Sequence, residues 1–205
     1  MTPGWNPDIL GAPSWELLQR LFPCRGMVTG EAALAGYWFH HRTVSRLELA
    51  VRTPEDLAEL DELAGSTGLA GERRMQMPGF VRYDRLDLML DHDVVLDPVK
   101  PLDRGVRADS LRDLAADRVL RLLGGGDAAV LVDLYSLSRA GVDLKVAVRD
   151  AARKDLGVTA AALAVVLSRA RPIRLPDGLV LPVALEDLQA FVEAEIPRLG
   201  MQAYS

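Results

Sequence analysis

The chain has 205 residues, 49% apolar and 26% charged, with 24 lysines and arginines against 29 aspartates and glutamates. That composition excludes a disordered chain, and the net charge of -5 excludes a general nucleic-acid binder while leaving room for a local basic cleft. One cysteine, Cys24, can form no internal disulfide, the opening Met1-Thr2-Pro3-Gly4-Trp5-Asn6 lacks a signal peptide's basic start and apolar run, and no charge-free apolar stretch is long enough to span a bilayer. The expectation is a cytoplasmic protein with no membrane partner.

Pro3, Pro7 and Pro13 with Gly4 and Gly11 read as an extended arm. A helix is predicted from Ser14, as N-cap, to Phe22, where Pro23 stops it. Met27 to Gly30 reads as a brief strand ending in a glycine turn, and Glu31 to His40 as a helix. From Ser45 to Arg52 the residues alternate: Leu47, Leu49 and Val51 share one face, Arg46, Glu48 and Ala50 the other. Thr53-Pro54-Glu55-Asp56 combines a cap, a first-turn proline and a capping-box acid, starting a helix to about Ala64. Strands are predicted at Arg74 to Met77 and Phe80 to Leu90, the second broken near Asp84, and Pro98 and Pro101 mark a linker.

Helices follow at 109–123, 128–139, 143–155 and 159–169, punctuated by Gly124-Gly125-Gly126, Gly141 and Gly157. A β-like stretch from Ile173 to Leu181 turns at Pro176-Asp177-Gly178, and a last helix runs from Leu185 to Glu195 before Pro197. The pattern predicts an α+β fold, with a small mixed β-sheet lobe and N-terminal arm over 1–105 and a helical lobe over 106–205.

Polar residues stand where packing does not ask for them in three places. Gly30-Glu31 sits at a strand-to-helix turn, where free backbone N–H groups suit a phosphate. Glu48 and Asp87 lie between core leucines on their strands, so both carboxylates project from the opposite sheet face, where they could share a divalent cation or simply meet solvent. Arg118 falls on the inward face of its helix with Leu111, Leu114, Ala115 and Leu122, and needs an acceptor there. Asp133 on the next helix supplies one, the alternative being that Arg118 neutralises a nucleotide phosphate. Other candidates read as structural: His40-His41 by spacing, His92 in a solvated acidic loop, Cys24 as a lone buried thiol, and Trp5, Trp15 and Trp38 as packing residues.

The order of these pieces resembles the nucleotidyltransferase AbiEii/AbiGii toxin family. Its opening is similar to Thr29-Gly30-Glu31-Ala32-Ala33-Leu34-Ala35-Gly36-Tyr37, His41-Arg42 and Ser45-Arg46-Leu47-Glu48-Leu49, and its second signature to Asp113-Leu114-Ala115-Ala116-Asp117-Arg118 and Val132-Asp133-Leu134-Tyr135-Ser136-Leu137. The resemblance covers about residues 14 to 140. It implies a polymerase-beta-like nucleotidyltransferase fold and metal-dependent nucleotide transfer, often to RNA, in bacterial toxin–antitoxin or defence systems. By that resemblance Gly30, Glu31, Arg42, Arg118 and Asp133 line a nucleotide or phosphate site, and Glu48 and Asp87 hold the metal and act in catalysis if the chain is active.

The chain departs from the family pattern at the reacting centre. Glu31 replaces the second small residue of the phosphate turn, Arg46 stands at the first metal position, Glu48 at the second, and Arg118 replaces a phosphate-binding lysine. Ala129-Val130 replaces a basic–acidic pair, while His41, Arg42, Asp133 and Tyr135 persist. At about 4 Å and an effective dielectric of about 20, a guanidinium and a divalent cation repel by several kcal/mol. The expectation is that Arg46 occupies the metal position and pairs with Glu48 and Asp87. This favours a pseudoenzyme that binds or scaffolds a protein partner (an antitoxin or operon neighbour) and needs no cofactor. The alternative is a working enzyme using Mg²⁺ and a nucleoside triphosphate on RNA such as tRNA.

Overall fold

The computed structural model describes residues 3–21, 26–91, 94–98 and 106–200. It resolves into two compact units, Met1–Asp93 with Pro98–Ser110, and Val94–Asp97 with Leu111–Ser205. Cys24, Arg25, His92, Asp93 and Pro101 lie outside the described residues, as do the readings made of them. The fold is α+β, as the pattern of periods predicts.

The N-terminal residues correct the reading of an extended arm. They form two helices, α1 (Pro7–Leu10) and α2 (Ala12–Leu21). Asn6 caps α1 by accepting from the Asp8 N–H at 3.0 Å, and Pro7 and Pro13 both fall in first turns, where a missing N–H costs nothing. The short strand β1 (Met27–Val28) leads into α3 (Gly30–Ala33), which loosens into a π-helical turn over Leu34–Phe39 and stops at His40 in the left-handed region, φ 52°. Gly36 in that turn is required by close approach: a Cβ there would stand 2.6 Å from the Leu10 side chain of α1. Trp5, Trp15, Tyr37 and Trp38 form a chain of ring contacts with centroids 5.2–6.4 Å apart.

The sheet comprises β1, β2 (Leu47–Val51), β3 (Arg73–Met77), β4 (Phe80–Tyr83) and β5 (Leu86–Leu90), in the spatial order β1-β2-β5-β4-β3. Among the five described strands only β2 and β5 pair in parallel, and the chain between them supplies the crossover: helix α4 (Pro54–Thr67) and the β3–β4 hairpin. Leu47, Leu49 and Val51 of β2 with Leu86 and Leu88 of β5 are buried, and α4 packs on both strands through a face containing Leu60 and Ala64. That helix outruns its predicted end at Ala64. Ser66 and Thr67 donate their hydroxyls back to the Leu63 and Ala64 carbonyls, and Gly68 supplies the left-handed exit at φ 67°. Beyond β5, Ala108 forms a parallel bridge with Val28.

The helical unit contains α5 (Leu111–Leu123), α6 (Ala128–Arg139), α7 (Leu144–Lys154), α8 (Ala160–Arg169) and α9 (Leu185–Gly200). Two predicted features differ. Residues 173–181 form no strand, only a single β-bridge at Leu179, where Gly178 turns the chain at φ 78°. Helix α9 passes through Pro197 instead of ending before it. The proline sits three residues from the end, where its missing N–H frees only the carbonyl of exposed Glu193. Among the described residues no helix is long and apolar enough to cross a membrane.

Buried charges tie this unit together. Asp113 accepts from the Leu96 and Asp97 N–H groups at 3.0 and 3.1 Å, and Lys154 lies 3.3 Å from Asp113 and 2.7 Å from Asp117. Burial pushes the Asp117 carboxyl up, with Lys154 opposing. Arg112 grips Asp150 with two hydrogen bonds of 2.6 and 2.7 Å, and these hold the Asp150 carboxyl below the ordinary range against the opposing effect of burial. A depressed folded-state pKa stabilises fully above the unfolded value of about 4 and less as pH falls below it. In urea unfolding across acidic pH, Asp150→Asn is therefore expected to be less stable than the parent at neutral pH, with the gap closing below about pH 4.

Candidate functional site

Register assembles the site on the sheet face opposite α4. Glu48 of β2 stands beside Asp87 of β5, and Asp87 beside Arg82 of β4, so acid, acid and guanidinium make one lateral row. Asp87 is buried. Its Oδ1 accepts from Arg82 Nε at 2.9 Å and its Oδ2 from Arg82 Nη2 at 2.7 Å, a two-pronged pair in which both planar groups are matched. The Asp87 hydrogen bonds, and then the negative charges of Asp87 and Glu48, hold the Arg82 guanidinium more firmly protonated than usual. Its carbon lies 5.2 Å from the Phe80 ring centroid.

Arg46 meets Asp87, one of its two expected partners, only as a loose ion pair. Two residues before Glu48 on the same face, its Nε lies 3.8 Å from Asp87 Oδ1 and forms no hydrogen bond. The cation that grips Asp87 is Arg82, because cross-strand register in the β4–β5 hairpin places it directly opposite, whereas Arg46 precedes β2 and reaches Asp87 only diagonally. Sequence reasoning missed Arg82, although the alternation Phe80-Val81-Arg82-Tyr83 puts it on the same face as Phe80, with Val81 and Tyr83 buried on the other.

Glu48 is engaged at the glycine turn. Its Oε2 accepts from the Glu31 backbone N–H at 3.1 Å, on the first turn of α3. Thr29, at the N-cap position, leaves that role open, since its hydroxyl donates to Asp109 Oδ2 at 3.1 Å. Gly30 makes the turn at φ 61°, and the Glu31 carboxylate reaches the buried Arg42 at 3.0 Å. Asp109, also missed, is held by Ser110 N–H at 3.0 Å, while its carbonyl accepts from the Trp38 indole at 3.1 Å. No short-range pattern marks it, since its partner Thr29 is 80 residues away.

Arg118 and Asp133 belong to the helical unit, where Arg118 Nη1 lies 3.5 Å from Asp133 Oδ2 and both side chains are buried. Tyr135 meets Phe191 edge to face at 5.7 Å. His40 Nε2 is 2.7 Å from the Gly4 carbonyl, and His41 is buried against Phe39. Among the described residues, no group of three or more His, Cys, Asp or Glu is arranged to hold a metal ion.

This architecture recurs in solved structures. The chain matches the crystal structure of JHP933 from Helicobacter pylori with a TM-score of 0.56 and 15% identity, over 94% of this chain and 93% of that one. A "putative nucleotidyltransferase" from H. pylori matches with a TM-score of 0.53 and 14% identity, over 93% and 95% of the two chains. The chain shares its fold with these two structures. No protein-family model matches the chain, and no curated protein matches it significantly.

The pairing of Arg82 with Asp87 is measurable. In a double-mutant cycle of Arg82→Ala and Asp87→Ala, unfolding free energies are expected to show coupling of about 1–3 kcal/mol, with Arg82→Ala alone more damaging than the double variant because it strands a buried carboxylate.

Proposed function

We infer that this chain is an AbiEii/AbiGii-type nucleotidyltransferase-like protein whose catalytic centre is retired, acting as a binding or scaffold module in a toxin–antitoxin or defence-like setting. The observation that carries the reading is the Arg82–Asp87 pair: the buried acid that could serve as a metal ligand has both oxygens engaged by a guanidinium from the next strand. The family chemistry would ask the same sheet face for two magnesium ions. These residues do not fit them, because Arg46 adds a second positive charge 3.8 Å from Asp87, and a divalent ion would have to displace one guanidinium and tolerate the other.

The phosphate turn supports the same reading. Its Glu31 N–H already has a carboxylate acceptor in Glu48, and the Glu31 side chain places a further acid there, neutralised by Arg42. A triphosphate would meet negative charge at the point where the fold otherwise offers donors. Arg118, held against Asp133 in the helical unit, acts in this reading as a structural cation.

Incubation of the chain with Mg²⁺, labelled nucleoside triphosphates and total tRNA is expected to give no label transfer, and calorimetry no metal-dependent nucleotide binding. Transfer by the parent chain overturns the reading in favour of a working enzyme. Replacing Arg46→Asp, Glu31→Ser and Arg82→Ala together is expected to restore metal-dependent nucleotide binding, because it removes both guanidiniums from Asp87 and clears the turn.

A further inference from the structure

The face that bears Asp87 also carries an apolar patch. In register with the row Glu48, Asp87, Arg82 and Met75 lies a second row, two residues along each strand, of Ala50, Met89, Phe80 and Met77. Both rows project to the same side. Met75 and Met77 on the edge strand β3 are 47% and 53% exposed, and Phe80 and Met89 are half-buried beside them. The cations of the polar row are also outward, with the Arg46 and Arg82 side chains 35% and 36% exposed, whereas Asp87 beneath them is 6% exposed. The face shown to solvent therefore carries two half-exposed guanidiniums, with Glu48 beside them, at one end and is methionine-rich at the other.

Arg46 is the unfinished part of this surface. Its Nε is buried with no hydrogen-bond acceptor among the described residues, and the nearby Asp87 already has both oxygens engaged by Arg82. The Nε is enclosed, but 35% of the Arg46 side chain is exposed, so the outward part of the guanidinium can meet an added oxyanion. The neighbouring apolar surface decides what carries it: flexible thioethers and an aromatic ring suit an adaptable contact with apolar side chains. A phosphate backbone asks for a wider run of cations than two arginines on a chain of net charge -5.

We propose that this face docks an acidic segment of a protein partner, a carboxylate meeting Arg46 and Arg82 while an adjacent apolar side chain packs on Met75, Met77 and Phe80. The proposal rests on the retired-centre reading, since it gives Arg46 a partner carboxylate in place of a neighbouring metal. The test pans the full chain against a random dodecapeptide phage library and measures the synthesised winners by fluorescence anisotropy. Enriched peptides are expected to carry Asp or Glu close to Leu, Ile, Met or Phe. Their affinity is expected to fall about tenfold or more in Arg46→Ala and in Met75→Asp with Met77→Asp, and to hold in Arg20→Ala on α2. Thermal melts establish that each variant is folded, and a charge-conserving Arg46→Lys that recovers part of the affinity strengthens the assignment. Failure to enrich peptides, winners without acids, winners that bind the folded variants as well as the parent, or tighter Arg46-dependent binding of oligouridylate each overturns it. Nucleotide transfer by the parent chain is read separately: it overturns the retired-centre reading and with it the premise of this proposal, whereas the peptide results overturn the docking face alone.

Discussion

A carboxylate buried in a sheet needs polar partners to replace the water it has lost. At Asp87 the replacement is a guanidinium, delivered from the adjacent strand in a geometry that engages both oxygens. A divalent cation is the other common answer to the same problem, and the two compete for one position. The order of β2, β5 and β4 therefore does more than build a sheet. It sets two acids and an arginine abreast and settles, through register alone, which cation sits nearest to Asp87.

The same economy recurs around the row. Glu48 engages a first-turn N–H of α3 while Thr29, which stands at the cap position, turns to Asp109. Glu31 is answered by Arg42, and the helix that begins there continues as a π-helical turn in which Gly36 lies against Leu10. In the helical unit Lys154 lies between Asp113 and Asp117, Arg112 grips Asp150, and Arg118 meets Asp133. In both units these acids are engaged by groups of the chain itself.

Much of this was legible beforehand wherever the signal is local. Alternation at Leu47, Glu48 and Leu49 and at Leu86, Asp87 and Leu88 assigned both acids to one face, and Thr53-Pro54 started α4 through a hydroxyl that caps the Asp56 N–H. Local signals also misled. Pro7 and Pro13 suggested extension because proline breaks helix interiors, yet in a first turn its fixed φ and missing N–H favour the helix. Pro197 in sequence signals a stop, yet the last turn of α9 accommodates it.

The amino-acid order by itself determined the strand and helix periods, the charge at each position of the polar row, and the presence of Arg46 two residues before Glu48. Tertiary structure decided which of two arginines faces Asp87, what Glu48 engages, and that Thr29 and Asp109 meet across 80 residues. The reason is that a side chain's face follows from a period of two within one strand, whereas its partner depends on how separate strands are ordered and registered.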